Sequence, residues 1–207
     1  MKNYIELSKK HFDNQAKIYD ETNTAYYSKY PKISCKDVAQ RLKNTEYQSL
    51  LDIGCGTGYL INKLQSQKSA LYCGLDLSPE MLKVAKRKLP ESVFLTEGAS
   101  DNLPYDDGGF DIVTCVQSFH HYPQPEKAMA EAYRVLRSNG LYILSDTGYG
   151  GLPKWFYNSF LLKVANTGDY AVYSMSDIEK LMIKSGFEIR EAQKIDKFIY
   201  TIVGVKK

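Results

Sequence analysis

Asp52 and Asp76 each close a short apolar run, and the residues that follow decide what such carboxylates could bind. Leu50, Leu51 and Ile53 read as the end of a buried strand. Gly54, Gly56 and Gly58 then alternate with Cys55 and Thr57 before a helical stretch from Tyr59 to Leu64. A strand that passes through alternating glycines into a helix makes a bare-backbone turn, where amides and the positive helix end can lie against a ligand. Asp52, just inside the strand end, suits that turn to a ligand with ammonium and hydroxyl groups rather than a bare pyrophosphate. Asp76 ends the second run, which begins at Ala70. A carboxylate there can accept hydrogen bonds from both hydroxyls of a ribose, and Leu77 beside it could lie against an adenine. Together the two segments specify an adenosine-type ligand, which neither does alone.

A dinucleotide fold is the competing reading, and glycine spacing weighs against it. Its fingerprint, G-x-G-x-x-G, packs helix on strand through the third glycine. Counted from Gly54, that glycine belongs at position 59, which is Tyr59; here it falls one residue early, at Gly58. A nicotinamide oxidoreductase is the weaker reading.

A parallel sheet must bring these residues together. Strands are expected at 49–53, 71–76, 93–96, 110–116 and 141–146, alternating with helices, which implies an α/β sheet covered on both faces. Ser78 is the expected N-cap of one helix, with Pro79 and Glu80 in its first turn and Met81, Leu82, Ala85 and Leu89 inward. Another helix runs from Pro125 to near Gly140, with Ala128, Ala132, Val135 and Leu136 inward. Ser176-Asp177-Ile178-Glu179 reads as a capping box for a helix that stops at Gly186. The β-rich runs 187–193 and 198–205 are separated only by 194–197, which permits an antiparallel hairpin but no parallel crossover. The chain thus reads as a single domain, 1–207, with an N-terminal helical cap, 1–45, and an aromatic insertion, 148–173.

Five ordered stretches, LLDIGCGTGYL, GLDLSPEML, NLPYDDGGFDIV, SFHHYPQPEKAMAEAYRVLRSNG and LYILSDT, resemble class I S-adenosylmethionine-dependent methyltransferases. Within that class they are similar to the ubiquinone/menaquinone-biosynthesis subgroup. They run from Leu50 to Thr147, about half of the chain. The resemblance implies a Rossmann-like, doubly wound, mainly parallel seven-stranded sheet, order 3-2-1-4-5-7-6, with the seventh strand antiparallel. It implies S-adenosylmethionine as cofactor and S-adenosylhomocysteine as product. Asp52, Gly54, Cys55, Gly56 and Gly58 are expected at the methionine end, with Val116 and Gln117 beside it, and Asp76 and Leu77 at the adenosine. The FDNQAKIYD segment resembles the start of these relatives and implies that Tyr19 lies near the cofactor. The relatives often carry an acidic residue directly after the glycine that follows the third strand. Here Ala99 follows Gly98, so Ser100, Asp101 or backbone groups are left to meet the adenine.

His120 and His121 are the only histidines besides His11. No acidic or cysteine residue has ligand spacing to the pair, so no metal is expected. One histidine is expected to pack inward and fix its loop. His121 is expected near cofactor or acceptor, where imidazole could serve as a general base. Methyl transfer from a sulfonium is an in-line displacement. It needs the acceptor within about 3–3.5 Å and water excluded, not a nucleophilic side chain. Two aromatic segments are candidate covers: one with Tyr19, Tyr26, Tyr27 and Tyr30, the other with Trp155, Phe156, Tyr157 and Phe160.

Composition narrows the partners. The 27 basic and 24 acidic residues nearly balance, without the basic strip of a nucleic-acid surface. No apolar run approaches the about 18 residues of a membrane span, and the first residues lack a signal-peptide core. Four scattered cysteines argue against a zinc or disulfide framework. The expectation is a cytoplasmic enzyme, monomer or homodimer, that methylates a small molecule on carbon, oxygen or nitrogen. The alternative is a non-catalytic binder of S-adenosylmethionine or S-adenosylhomocysteine, or a regulatory partner.

Overall fold

Successive side chains along a strand face opposite ways, and the central strands of this chain are apolar on both sides. In the computed structural model, which describes residues 3–20, 29–162 and 168–207, that pattern produces one sheet between two apolar layers. Its strands are β1 (Ser49–Ile53), β2 (Leu71–Asp76), β3 (Phe94–Glu97), β4 (Phe110–Val116), β5 (Leu136–Thr147), β6 (Phe187–Lys194) and β7 (Ile199–Lys206). They lie in the order β3-β2-β1-β4-β5-β7-β6. The first five are mutually parallel, and β7 runs antiparallel to both β5 and β6.

Leu50, Ile112, Ile143 and Val203 point to one side, where they meet Val38, Ala39 and Leu42 of α2 (Tyr30–Leu42) and Ile61 and Leu64 of α3 (Tyr59–Gln65). Leu51, Val113, Tyr142 and Ile202 point to the other. There they meet Met129 and Ala132 of α5 (Pro125–Val135) and Ile178 and Met182 of α7 (Met175–Lys184). Each fully buried aliphatic side chain contributes about 1.5–3 kcal/mol, so the two layers hold the strand ends in fixed register. The remaining helices are α1 (Tyr4–Gln15), α4 (Pro79–Lys88) and α6 (Gly151–Phe156), the last running into a π-helical turn, Tyr157–Leu161.

Ser78 caps α4 by accepting from the Met81 amide at 3.1 Å. Several expected boundaries move. β3 and β7 each begin one residue later than expected. α5 stops at Val135 and β5 begins at once. Leu136 pairs with Phe110, and the register then jumps to Ile112–Leu141. Asn139, at φ 63, and the crowded Gly140 turn the chain into the sheet, so helical spacing in the sequence overran the true end. The capping box sits two residues earlier than expected. The Asp177 amide donates to Ser174 Oγ at 3.3 Å, and the Ser174 amide donates to the Asp177 carboxylate at 2.7 Å. Lys154 also holds that carboxylate, 2.7 Å away.

The turn before β4 is clamped rather than loose. Arg134 of α5 donates to the carbonyls of Leu103 and Tyr105 and pairs with Glu131 and Asp107. Glu131 in turn accepts from the Leu103 amide at 2.7 Å.

Candidate functional site

Ligands of open parallel sheets bind outside the carboxyl ends of the strands, and a cleft opens there. Tyr19, Asp52, Gly54, Cys55, Gly56, Asp76, Leu77, Ser100, Asp101, Val116, Gln117 and His121 all line it. Gly58 does not. It caps α3 at φ 77, and a methyl group there would come within 2.6 Å of Leu89, so its role is packing of α3 against α4.

The polar handles are carboxylates more than amides. Gly54 and Cys55 donate their amides to the Leu75 carbonyl, Gly58 to that of Cys55, and Gly56 to Asp76. The glycine turn therefore braces itself on β2, and those four amides do not point at a ligand. Gly54 is compelled by two constraints: φ is 75, and a Cβ would lie 2.0 Å from Ser118 Oγ. Asp76 accepts from Gly56 at 2.7 Å and from Ser78 at 2.9 Å, so it stabilises both the turn and the start of α4. Burial raises it to about 6 against the pull of those donors. Asp52 is buried too and accepts from Thr114 Oγ1 at 2.7 Å. Burial raises it to about 7, the Thr114 hydroxyl opposing and the Asp76 charge adding.

Gln117 sits at φ 51, in the left-handed region that costs an ordinary residue about 1–3 kcal/mol. Its side chain locks that conformation, donating to Ser34 Oγ at 2.8 Å and accepting from Thr147 Oγ1 at 2.7 Å. On the far side, Asp101 accepts from Gln124, and Ser100 is buried.

The N-terminal segment covers the cleft. Ile5, Ser8 and Phe12 of α1 line it, and Phe12, Ala16 and Tyr19 pack with Met81 and Val84 of α4. Asp20 accepts from Thr57 in the glycine turn and pairs with Lys88; Asp13 accepts from Ser78 Oγ at 2.5 Å. Tyr26 and Tyr27 lie outside the described residues.

The aromatic insertion departs from expectation. Trp155, Phe156 and Phe160 are each more than half exposed, and none of the described residues of 148–173 lines the cleft. They pack on one another, Trp155 against Phe160 and Phe156 against Phe160. The insertion reaches the site's edge by another residue, Asp169, whose carboxylate is 3.2 Å from His121 Nδ1 and 3.8 Å from His120 Nε2. The segment is tied down by Tyr170 and Ala171, whose amides donate to the His120 carbonyl.

Of the histidines, His120 is the inward one. Its Nδ1 meets Asp146 at 2.7 Å, and its amide donates to the same carboxylate at 3.1 Å. Burial alone would lower it, but Asp146, with Asp169 adding, raises it. His121 faces the cleft, its ring edge-on to Phe12 at 4.9 Å. Burial, and the neighbouring His120, hold its imidazole below the usual range, so it is neutral at pH 7 but a weak base. Among the residues that sequence reasoning did not assign are Phe12, Ser118, Tyr122 and Asp169. The first three stand inside stretches already singled out by resemblance, whereas Asp169 carries no local signal and only folding brings it to the rim.

A seven-stranded sheet in this order is the fold of solved S-adenosylmethionine-dependent methyltransferases. Residues 51–144 match the family described as methyltransferase domain. It is similar to a demethylmenaquinone methyltransferase of Chlorobaculum tepidum, 31% identical over 62% of this chain and 54% of that protein. An uncharacterized protein of Methanocaldococcus jannaschii, MJ1252, is 29% identical over 93% of this chain and 77% of its own length. The chain thus spans little more than half of the first relative. In solved structures the fold recurs in a putative methyltransferase of Haloferax volcanii, complexed with the Trm112 methyltransferase activator. Its TM-score is 0.81 at 19% identity, with 96% of each chain covered. It recurs also in a possible histamine N-methyltransferase of Thermotoga maritima, TM-score 0.74 at 22% identity, covering 97% of this chain and all of that one. No helix among the described residues is long and apolar enough to cross a membrane, and the four cysteines are buried and free.

Proposed function

We propose that this chain transfers a methyl group from S-adenosylmethionine, bound in the rim cleft, to a small-molecule acceptor. The observation that carries this reading is that the residues named from sequence, Gly58 excepted, line one cleft although they come from four strand ends and the N-terminal segment. The donor set fits the cofactor. Each Asp76 carboxylate oxygen accepts from a backbone amide, Gly56 on one and Ser78 on the other, and keeps acceptor capacity for ribose hydroxyls. Asp52 keeps acceptor capacity beyond the Thr114 bond for an ammonium group. Both carboxyls are raised by burial, so a cationic, hydroxyl-rich ligand relieves what the fold imposes. Leu77, Ser100 and Asp101 are the groups for the adenine, and Tyr19, Val116 and Gln117 for the methionine portion.

Bound S-adenosylmethionine would supply a methyl group already activated on a sulfonium, so the chain needs no nucleophile. What its own residues do is orient and dry the cleft. α1 lays Ile5, Ser8 and Phe12 over it, and Asp20 fastens that cover to Thr57. Of the expected cap, residues 3–20 lie over the cleft, while α2 packs on the sheet. His121, neutral and weakly basic, lines the wall, where it can orient an acceptor hydroxyl rather than carry its proton. The relatives named demethylmenaquinone methyltransferases support a small acceptor. Calorimetry with S-adenosylmethionine, then a screen of phenols, quinones, amines and acids for S-adenosylhomocysteine release, tests this. Absence of binding, or preference for a nicotinamide cofactor, would overturn it.

A further inference from the structure

We propose that His120, His121 and Asp169 form a divalent-metal site in the wall of the cleft. His120 Nε2, His121 Nδ1 and an Asp169 carboxylate oxygen all lie within 4.8 Å of one another. Ligands at about 2.0–2.1 Å around a tetrahedral zinc sit roughly 3.3 Å apart. The two measured separations from Asp169, 3.2 and 3.8 Å, already approach that.

Two independent features point to a cation. Asp146 holds His120 through Nδ1 at 2.7 Å, which turns Nε2 toward Asp169; a carboxylate on the far nitrogen is the usual partner of a metal-bound imidazole. His121 Nδ1 is buried, aimed at Asp169, and has no hydrogen-bond partner. A buried nitrogen without a partner is unfavourable, and coordination would satisfy it. Two imidazoles and one carboxylate with open positions suit zinc or ferrous iron.

The role of the cation rests on the methyltransferase reading. His121 lines the cleft, so an open coordination position would face the acceptor. There the ion would take a phenol or enol oxygen as its anion: the O–H bond breaks, an O–metal bond forms, and the proton leaves to water.

The test uses the full chain stripped with chelator, titrated with Co²⁺ and followed by visible absorption, with Zn²⁺ measured by competition and elemental analysis. One equivalent per chain is expected. His121→Gln and Asp169→Asn should each weaken uptake at least about tenfold, and Asp146→Asn by about 10–100-fold. Circular dichroism monitors folding; should Asp146→Asn unfold, His121→Gln at the cleft wall decides. Lack of uptake of either ion, or uptake unchanged in both His121→Gln and Asp169→Asn, would overturn the site. Calorimetry of S-adenosylmethionine on the metal-free chain separates the two proposals. Metal uptake without cofactor binding would support the site and defeat the methyltransferase reading.

Discussion

At Asp52, what favours the fold and what favours the ligand have opposite sign. Its folded pKa of about 7 stands above its ordinary 3.8, so between about pH 4 and 7 the folded chain holds a proton that the unfolded chain has released. Stability therefore falls as pH rises through that window. Melting curves without ligand should show this decline, and Asp52→Asn should flatten it by several degrees while weakening S-adenosylmethionine binding. Asp76, raised to about 6, keeps part of the slope below pH 6, so a slope between pH 6 and 7 that survives the substitution would place the proton elsewhere. Asp76→Ala strips the acceptor from the Gly56 and Ser78 amides as well as from the ribose. Two lost charged hydrogen bonds correspond to about a hundredfold in affinity, and calorimetry showing no change would remove the ribose assignment. These two carboxylates were legible in the sequence because each stands at the end of its own strand. Asp169 was not, since its partners His120 and His121 lie far back along the chain and only the path of the insertion brings it to them.

The glycine turn and the aromatic insertion show how elements divide between legible and hidden. Gly54→Ala meets both a left-handed φ and Ser118 Oγ, whereas Gly56→Ala meets only the φ, with nothing within 4 Å of the new carbon. The first should cost about 3 kcal/mol or more and the second about 1–2 kcal/mol. Urea unfolding should rank them so, and Ser118→Ala should recover part of the loss at Gly54 alone. Trp155→Ser with Phe160→Ser alters exposed rings. It should leave the melting midpoint and cofactor affinity within error; a large loss of affinity would return the insertion to the cleft. Hydropathy could place these aromatics on a helix but not choose its outward face. In the same way, helical spacing ran through Val135 into β5, because Leu136 is buried in either conformation.

For the molecule as a whole, the sheet order and the two-sided core follow from apolar strands, whereas the cover over the rim comes from long-range contacts. Hydrogen exchange should find β1, β4, β5 and β7 protected with or without ligand. α1 should become protected only when S-adenosylmethionine is added; an α1 that exchanges alike in both states would exclude it as the cover. α1 is not alone there. Gly168 runs against the Ser8 backbone so closely that a methyl group would sit 2.4 Å from its Cα, and Tyr170 meets Tyr4 edge-on. A side chain at position 168 would therefore push on α1 itself, so Gly168→Ala should disturb the cover from outside the cleft.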